Sequence, residues 1–103
     1  VFTMAEFDKI RTWTLISECP IPDDVNELLV DGEVAIAAYK TFRDSAVFTN
    51  KRLIIRDAQG LTGKKVEIYS LPYSSIFGHF KINLQKGVDI RKFDRLIANA
   101  VLK

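Results

Sequence analysis

Val47-Phe48-Thr49-Asn50-Lys51-Arg52-Leu53-Ile54-Ile55, with Gly60-Leu61-Thr62-Gly63-Lys64-Lys65-Val66-Glu67 behind it, decides how this chain folds. Each apolar run is short and rich in β-branched and aromatic residues, and each is bounded by residues that favour turns. Asn50-Lys51 reads as a tight hairpin turn in which asparagine is able to take a positive φ. Asp57-Ala58-Gln59-Gly60 makes the next reversal. Working backward, Val34 to Lys40 and Ser45 to Thr49 read as two strands joined at Arg43-Asp44. Working forward, Arg52 to Arg56 and Lys64 to Tyr69 continue the series. Consecutive hairpins of this kind make an antiparallel meander.

The flanks read differently. Thr3-Met4-Ala5-Glu6 has the form of a helix-capping box, and Met4, Phe7, Ile10 and Trp13 recur every third residue. A helix is expected to run to about Leu15, although Thr-Trp-Thr-Leu-Ile from Thr12 also fits a strand. Pro20 and Pro22 break the chain. Asp23 to Leu29 then reads as a two-turn helix with acids at its positive end, and Asp31-Gly32-Glu33 closes it. Pro72 precedes a further strand expected from Tyr73, and Phe80 to Leu84 reads as another. The last element is an amphipathic helix. Asp89 is its N-cap, Val88 and Phe93 form a hydrophobic staple, and Ile90, Phe93, Leu96, Ile97, Ala100 and Val101 share one arc. The expected organisation is a helical extension over residues 1–20 and a β domain over residues 21–103.

Composition narrows the function. The chain has 103 residues, 48% of them apolar and 27% charged, which is ordinary for a folded domain. Fifteen basic side chains against thirteen acidic ones leave a net charge of +2. That is too even for a strong polyanion field, so nucleic-acid binding is not expected. Cys19 is the only cysteine and is read as a small apolar residue in a reduced, cytoplasmic chain. No apolar run reaches the roughly 18 residues a membrane span requires.

Catalytic chemistry is poorly supplied. His79 is the only histidine, and no cysteine or acidic cluster accompanies it in sequence. The carboxylates Asp23, Asp24, Glu27, Asp31 and Glu33 lack the alternating ligands of a calcium loop. Helix capping and solvation account for them. Gly60 to Lys65 has two residues between its glycines where a P-loop has four, and a lysine where the hydroxyl should stand. The chain is therefore read as a non-enzyme with no metal and no cofactor. Basic residues gather at the turns. Lys40 and Arg43 stand at the first, Lys51 and Arg52 at the second, and Lys64 and Lys65 at the third. Alternate hairpins of a meander open toward one end, so Lys40, Arg43, Lys64 and Lys65 are the candidate ligands for a phosphate or lipid headgroup.

Taken together, several motifs resemble the bacterial pleckstrin-homology (PH-like) domains. They are Asp31-Gly32-Glu33, Phe42-Arg43-Asp44, Phe48 to Ile54, Gln59 to Glu67, Pro72-Tyr73-Ser74-Ser75-Ile76, and Lys86-Gly87-Val88-Asp89-Ile90. The resemblance covers residues from about Pro22 to Leu102 and leaves Val1 to about Cys19 outside it. It implies a mainly β fold, an antiparallel sandwich or partly open barrel capped by the C-terminal helix. It also implies homo-oligomers assembled as rings and a scaffold role in protein–protein contacts, with a partner protein it does not identify. The alternative that it implies is binding of anionic headgroups at a membrane surface. Between Ile76 and Gly78 the family pattern carries further strand sequence, so strand residues are expected to be missing near 76–78.

Overall fold

The computed structural model describes residues 12–42, 44–59, 65–76 and 81–101. Six strands form one sheet in the order β5-β4-β3-β2-β1-β6. In chain order these are β1 (Thr12–Cys19), β2 (Ala35–Lys40), β3 (Asp44–Thr49), β4 (Leu53–Gln59), β5 (Lys65–Leu71) and β6 (Lys81–Gly87). Short helices α1 (Asp23–Asn26) and α2 (Tyr73–Ile76) precede β2 and β6, and α3 (Ile90–Val101) follows β6. The meander expected from the hairpin sequences is β2 to β5, paired antiparallel throughout with registers such as Val47↔Ile54 and Ile55↔Tyr69.

The sheet is buried on both faces at its centre, and the alternation of side chains sorts them. Ala37, Tyr39, Ala46, Phe48, Leu53, Ile55 and Leu71 face α3, which adds Phe93 and Leu96. Val47, Ile54 and Ala38 face the other way and are closed over by Val25 of α1, with Ile21 and Leu29 beside it. This explains why β3 is buried at four successive residues rather than at every second one. Helix α3 is held by the aromatic trio Tyr39, Phe48 and Phe93. Their rings meet edge to face, with centroids 5.4 to 5.9 Å apart, the arrangement that ring quadrupoles favour. Its start matches the sequence expectation. Asp89 Oδ1 accepts from the backbone amides of Arg91 and Lys92, and Val88 and Phe93 are buried in one cluster.

Four expectations are corrected. Thr12 to Leu15 is strand, not the end of a helix; the rest of that expected helix lies outside the described residues. Leu15 is fully buried, and β1 pairs antiparallel with β2 and parallel with β6. Two ladder partners and a β-branched, aromatic composition outweigh a three-residue periodicity. The boundary expected between residues 20 and 21 thus falls within one sheet. Tyr73 begins a helical turn rather than a strand. Its side chain is buried and its hydroxyl donates to the Thr49 carbonyl at 2.6 Å, which fixes the chain after Pro72. Helix α1 stops at Asn26, short of Leu29. Finally, no described residue other than glycine has a positive φ, so Asn50 acts through its side chain and not through a left-handed backbone. The strand residues expected to be missing near 76–78 concern a stretch of which 77–80 lies outside the described residues.

Candidate functional site

The turn that decided the fold is also its most densely bonded polar site. Glu33 lies beneath it with its carboxylate fully buried. Its Oε2 accepts from Arg52 Nε at 2.9 Å and from Thr49 Oγ1 at 2.7 Å. Oε1 accepts from Arg52 Nη2 at 3.0 Å and from the Val30 amide at 3.0 Å. The guanidinium is a fork and the carboxylate its match, a geometry lysine cannot reproduce. The hydrogen bond from Arg52 is the main reason the Glu33 carboxyl is lowered to about 2, against the opposing effect of burial. Arg52 reaches further, to Ser70 Oγ at 2.9 Å and the Leu28 carbonyl at 3.2 Å.

Neighbouring residues complete the arrangement. Thr49 Oγ1 accepts from the amides of Lys51 and Arg52. Asn50 Oδ1 accepts from the Val34 amide at 2.7 Å, and its Nδ2 donates to the Gly32 carbonyl at 2.9 Å. Gly32 has φ +77, a left-handed conformation that glycine adopts without strain at the third position of the turn closed by Glu33 N donating to Val30 O. The motifs Asp31-Gly32-Glu33 and Thr49-Asn50-Lys51-Arg52 are therefore two halves of one lock. Sequence reading placed Glu33 among solvated carboxylates and Arg52 among turn cations, and both readings are corrected. The signal was present as a carboxylate in one motif and a guanidinium in the other, but their contact across nineteen positions is not a spacing rule. Asp24 is likewise paired, accepting from Arg56 Nε at 2.8 Å.

The candidate phosphate ligands are placed only in part. Lys40 ends β2 and is exposed. Lys65 begins β5 and pairs with Gln59; its side chain, and all of Arg43 and Lys64, lie outside the described residues. The sheet order puts the β2–β3 and β4–β5 turns at the same end, as alternation requires. It also sets three strand spacings between β2 and β5, roughly 14 Å. His79 lies outside the described residues. Cys19 is half-buried, and burial pushes its thiol up, away from reactive thiolate character.

Beyond the lock, Phe42 stands at the β2–β3 tip with 78% of its surface exposed. Thr41 and Asp44 close that tip, Thr41 N donating to the Asp44 carbonyl at 2.9 Å and Asp44 N to Thr41 Oγ1 at 2.8 Å.

The sheet order, the capping helix and the lock between these two motifs can be compared with known proteins. The sequence pattern of the bacterial PH domain matches residues 7–91. The chain belongs to the bacterial PH domain family. Because the match begins at residue 7, β1 lies inside this PH domain, which corrects the expectation that residues up to Cys19 stand outside it. Among solved structures, a DUF1696 family protein with a pleckstrin-homology domain from Shewanella loihica is 34% identical with a TM-score of 0.64, covering 82% of this chain and 96% of that one. A pleckstrin-homology domain from Shewanella amazonensis is 32% identical with a TM-score of 0.56, covering 78% and 94%. Two Bacillus subtilis proteins are also similar. YjqA is 48% identical over 61 residues, 59% of this chain and 49% of that protein. YozO is 45% identical over 49 residues, 48% of this chain and 42% of that protein. The chain spans about half the length of the curated relatives it matches.

Proposed function

We propose that this PH-like domain is a non-catalytic interaction module that works by self-association, presenting a scaffold on which other proteins assemble. The observation that carries this reading is where the apolar surface lies. Of the eight large apolar side chains exposed among the described residues, five fall between residues 28 and 42: Leu28, Val30, Val34, Ile36 and Phe42. Single exposed apolar residues are normal on any surface; their number on the segment leading into β2 and at the β2–β3 tip is what supports an interaction role. Size exclusion coupled to light scattering at micromolar concentration is expected to give the mass of several protomers. A monomer across that range would overturn the reading.

The second reading is headgroup binding through Lys40, Arg43, Lys64 and Lys65. What supports it is that the end of β2 and the start of β5, where Lys40 and Lys65 stand, lie at the same end of the sheet. Co-sedimentation with anionic vesicles at low salt, lost with neutral vesicles and at moderate salt, is its expected signature. Equal recovery with neutral vesicles would remove it.

A further inference from the structure

We infer that β5 takes an extended segment of another protein as a further strand on the outer edge of the sheet, and that this segment has the side-chain pattern apolar, basic, apolar. This rests on the interaction-module reading above, though not on its self-association half, and names the surface and the chemistry of the partner.

The sheet order leaves β5 at one end, and among the described residues no strand pairs with its outer side. On its inner side it pairs with β4 without a break from Leu53↔Leu71 to Gln59↔Lys65, and the register never shifts. A regular edge of this kind presents a row of backbone donors and acceptors that another extended backbone can match. Proteins blunt such edges with proline, bulges or several charges. From Val66 to Leu71 this strand has no proline and one charged residue, Glu67. The Glu67 carboxylate accepts from the hydroxyl of Tyr69, two residues along the same strand. The outermost strand at the other end differs, because β6 runs parallel to β1 and their register shifts between Leu15 and Ser17.

Alternation sorts what an added strand meets. Val66, Ile68 and Ser70 share one face with their β4 partners Ala58, Arg56 and Ile54. It is the face of α1, since Ile54 packs with Val25 and Arg56 bonds Asp24. Val66 and Ile68 are each 37% exposed, so a strand with apolar residues at two alternate positions covers both. Glu67 and Tyr69 lie on the opposite face, Tyr69 against the core that α3 completes. A carboxylate has lone pairs for several donors, so Glu67 can take a lysine or arginine of the added strand in addition to the Tyr69 hydroxyl. A second copy of β5 suits this edge less well. Two β5 strands related by a two-fold axis set both Val66 and Ile68 against apolar partners only in the register Val66↔Ile68. That register places Glu67 directly opposite Glu67, where like charges are unfavourable. The segment therefore comes from a different protein.

Labelled peptides titrated against the full chain by fluorescence anisotropy test this. The probes are Thr-Thr-Val-Lys-Val-Thr-Thr, the same sequence with glutamate for lysine, and two forms of the lysine peptide N-methylated on one or the other alternate set of backbone amides. The lysine peptide is expected to bind saturably and the glutamate peptide about fivefold more weakly, a cross-strand charge contrast of ordinary size. Methylation of one set should abolish binding and methylation of the other should not, because an added strand turns only one set toward β5. Glu67→Lys should reverse the order of the two charged peptides. Ile68→Lys should bind neither, with far-ultraviolet dichroism and melting temperature close to the parent's. Hydrogen exchange in the bound chain should slow along β5 and stay unchanged along β6. If the lysine peptide fails to bind, or binds equally in both methylated forms, no strand is added and the inference is overturned. If Glu67→Lys leaves the order unchanged, or protection appears on β6, the edge is not β5 and the inference is likewise overturned. A monomeric chain that binds the lysine peptide as described upholds this inference while the self-association reading fails; a multimer that does not bind it gives the reverse.

Discussion

Replacing Glu33 with glutamine removes the charge at the centre of the lock while keeping its shape, and its cost can be worked from the structure. A carboxyl held at about 2 in place of its ordinary 4.5 prefers its charged form by about 3.5 kcal/mol, at ~1.4 kcal/mol for each pH unit. An independent route gives a similar figure. Breaking a buried ion pair from one side costs about 3 to 5 kcal/mol, and the low end applies because the Arg52 side chain is 26% exposed and can be partly rehydrated. Against a total stability on the order of 5 to 15 kcal/mol for a domain of this size, Glu33→Gln should lower the urea midpoint substantially without changing the slope. The pH dependence has a definite sign. Glu33 is depressed in the folded state, so its contribution is fully present above the unfolded value near 4.5 and is lost as pH falls through about 2. The parent chain should therefore lose stability between pH 4.5 and 2 more steeply than Glu33→Gln does. A double-mutant cycle with Arg52→Met should assign most of the loss to this pair. A glutamine variant within 0.5 kcal/mol (about the scatter of a surface substitution) and a pH profile parallel to the parent's would refute the reasoning.

Phe93→Ala removes the ring that meets both Tyr39 and Phe48 edge to face, and should cost about 3 to 5 kcal/mol by urea denaturation. Arg91→Ala and Arg95→Ala, on the exposed arc of α3, should leave the melting temperature almost unchanged. Gly87→Ala would place a Cβ 2.7 Å from the Ile16 carbonyl oxygen, so it should force β6 away from β1 and destabilise the domain. A melting temperature equal to the parent's would argue against the parallel β1–β6 pair.

Much of this architecture is local in origin. Strands β2 to β5 follow from short β-branched and aromatic runs separated by turn residues, and such signals need only a few neighbouring positions. Helix α3 follows from its cap, staple and apolar arc, all contained within Val88 to Val101. The family resemblance was legible because the locking residues cluster in short motifs. What the sequence did not disclose depends on partners far away in the chain. Thr12 to Leu15 carries a pattern readable as helix or strand, and only pairing with Lys81 to Leu84 settles it. Tyr73 becomes a turn because its hydroxyl finds the Thr49 carbonyl. Glu33 and Arg52 look like two solvated charges until folding desolvates one and lays the other across it. The exposure of Phe42 and Val34 is also a tertiary fact. Apolar residues in a strand pattern are expected to be buried, and these are not. Local propensity determines which segments are strands and helices; which side chains meet, and which are left facing outward, is decided when the sheet closes over its two cores.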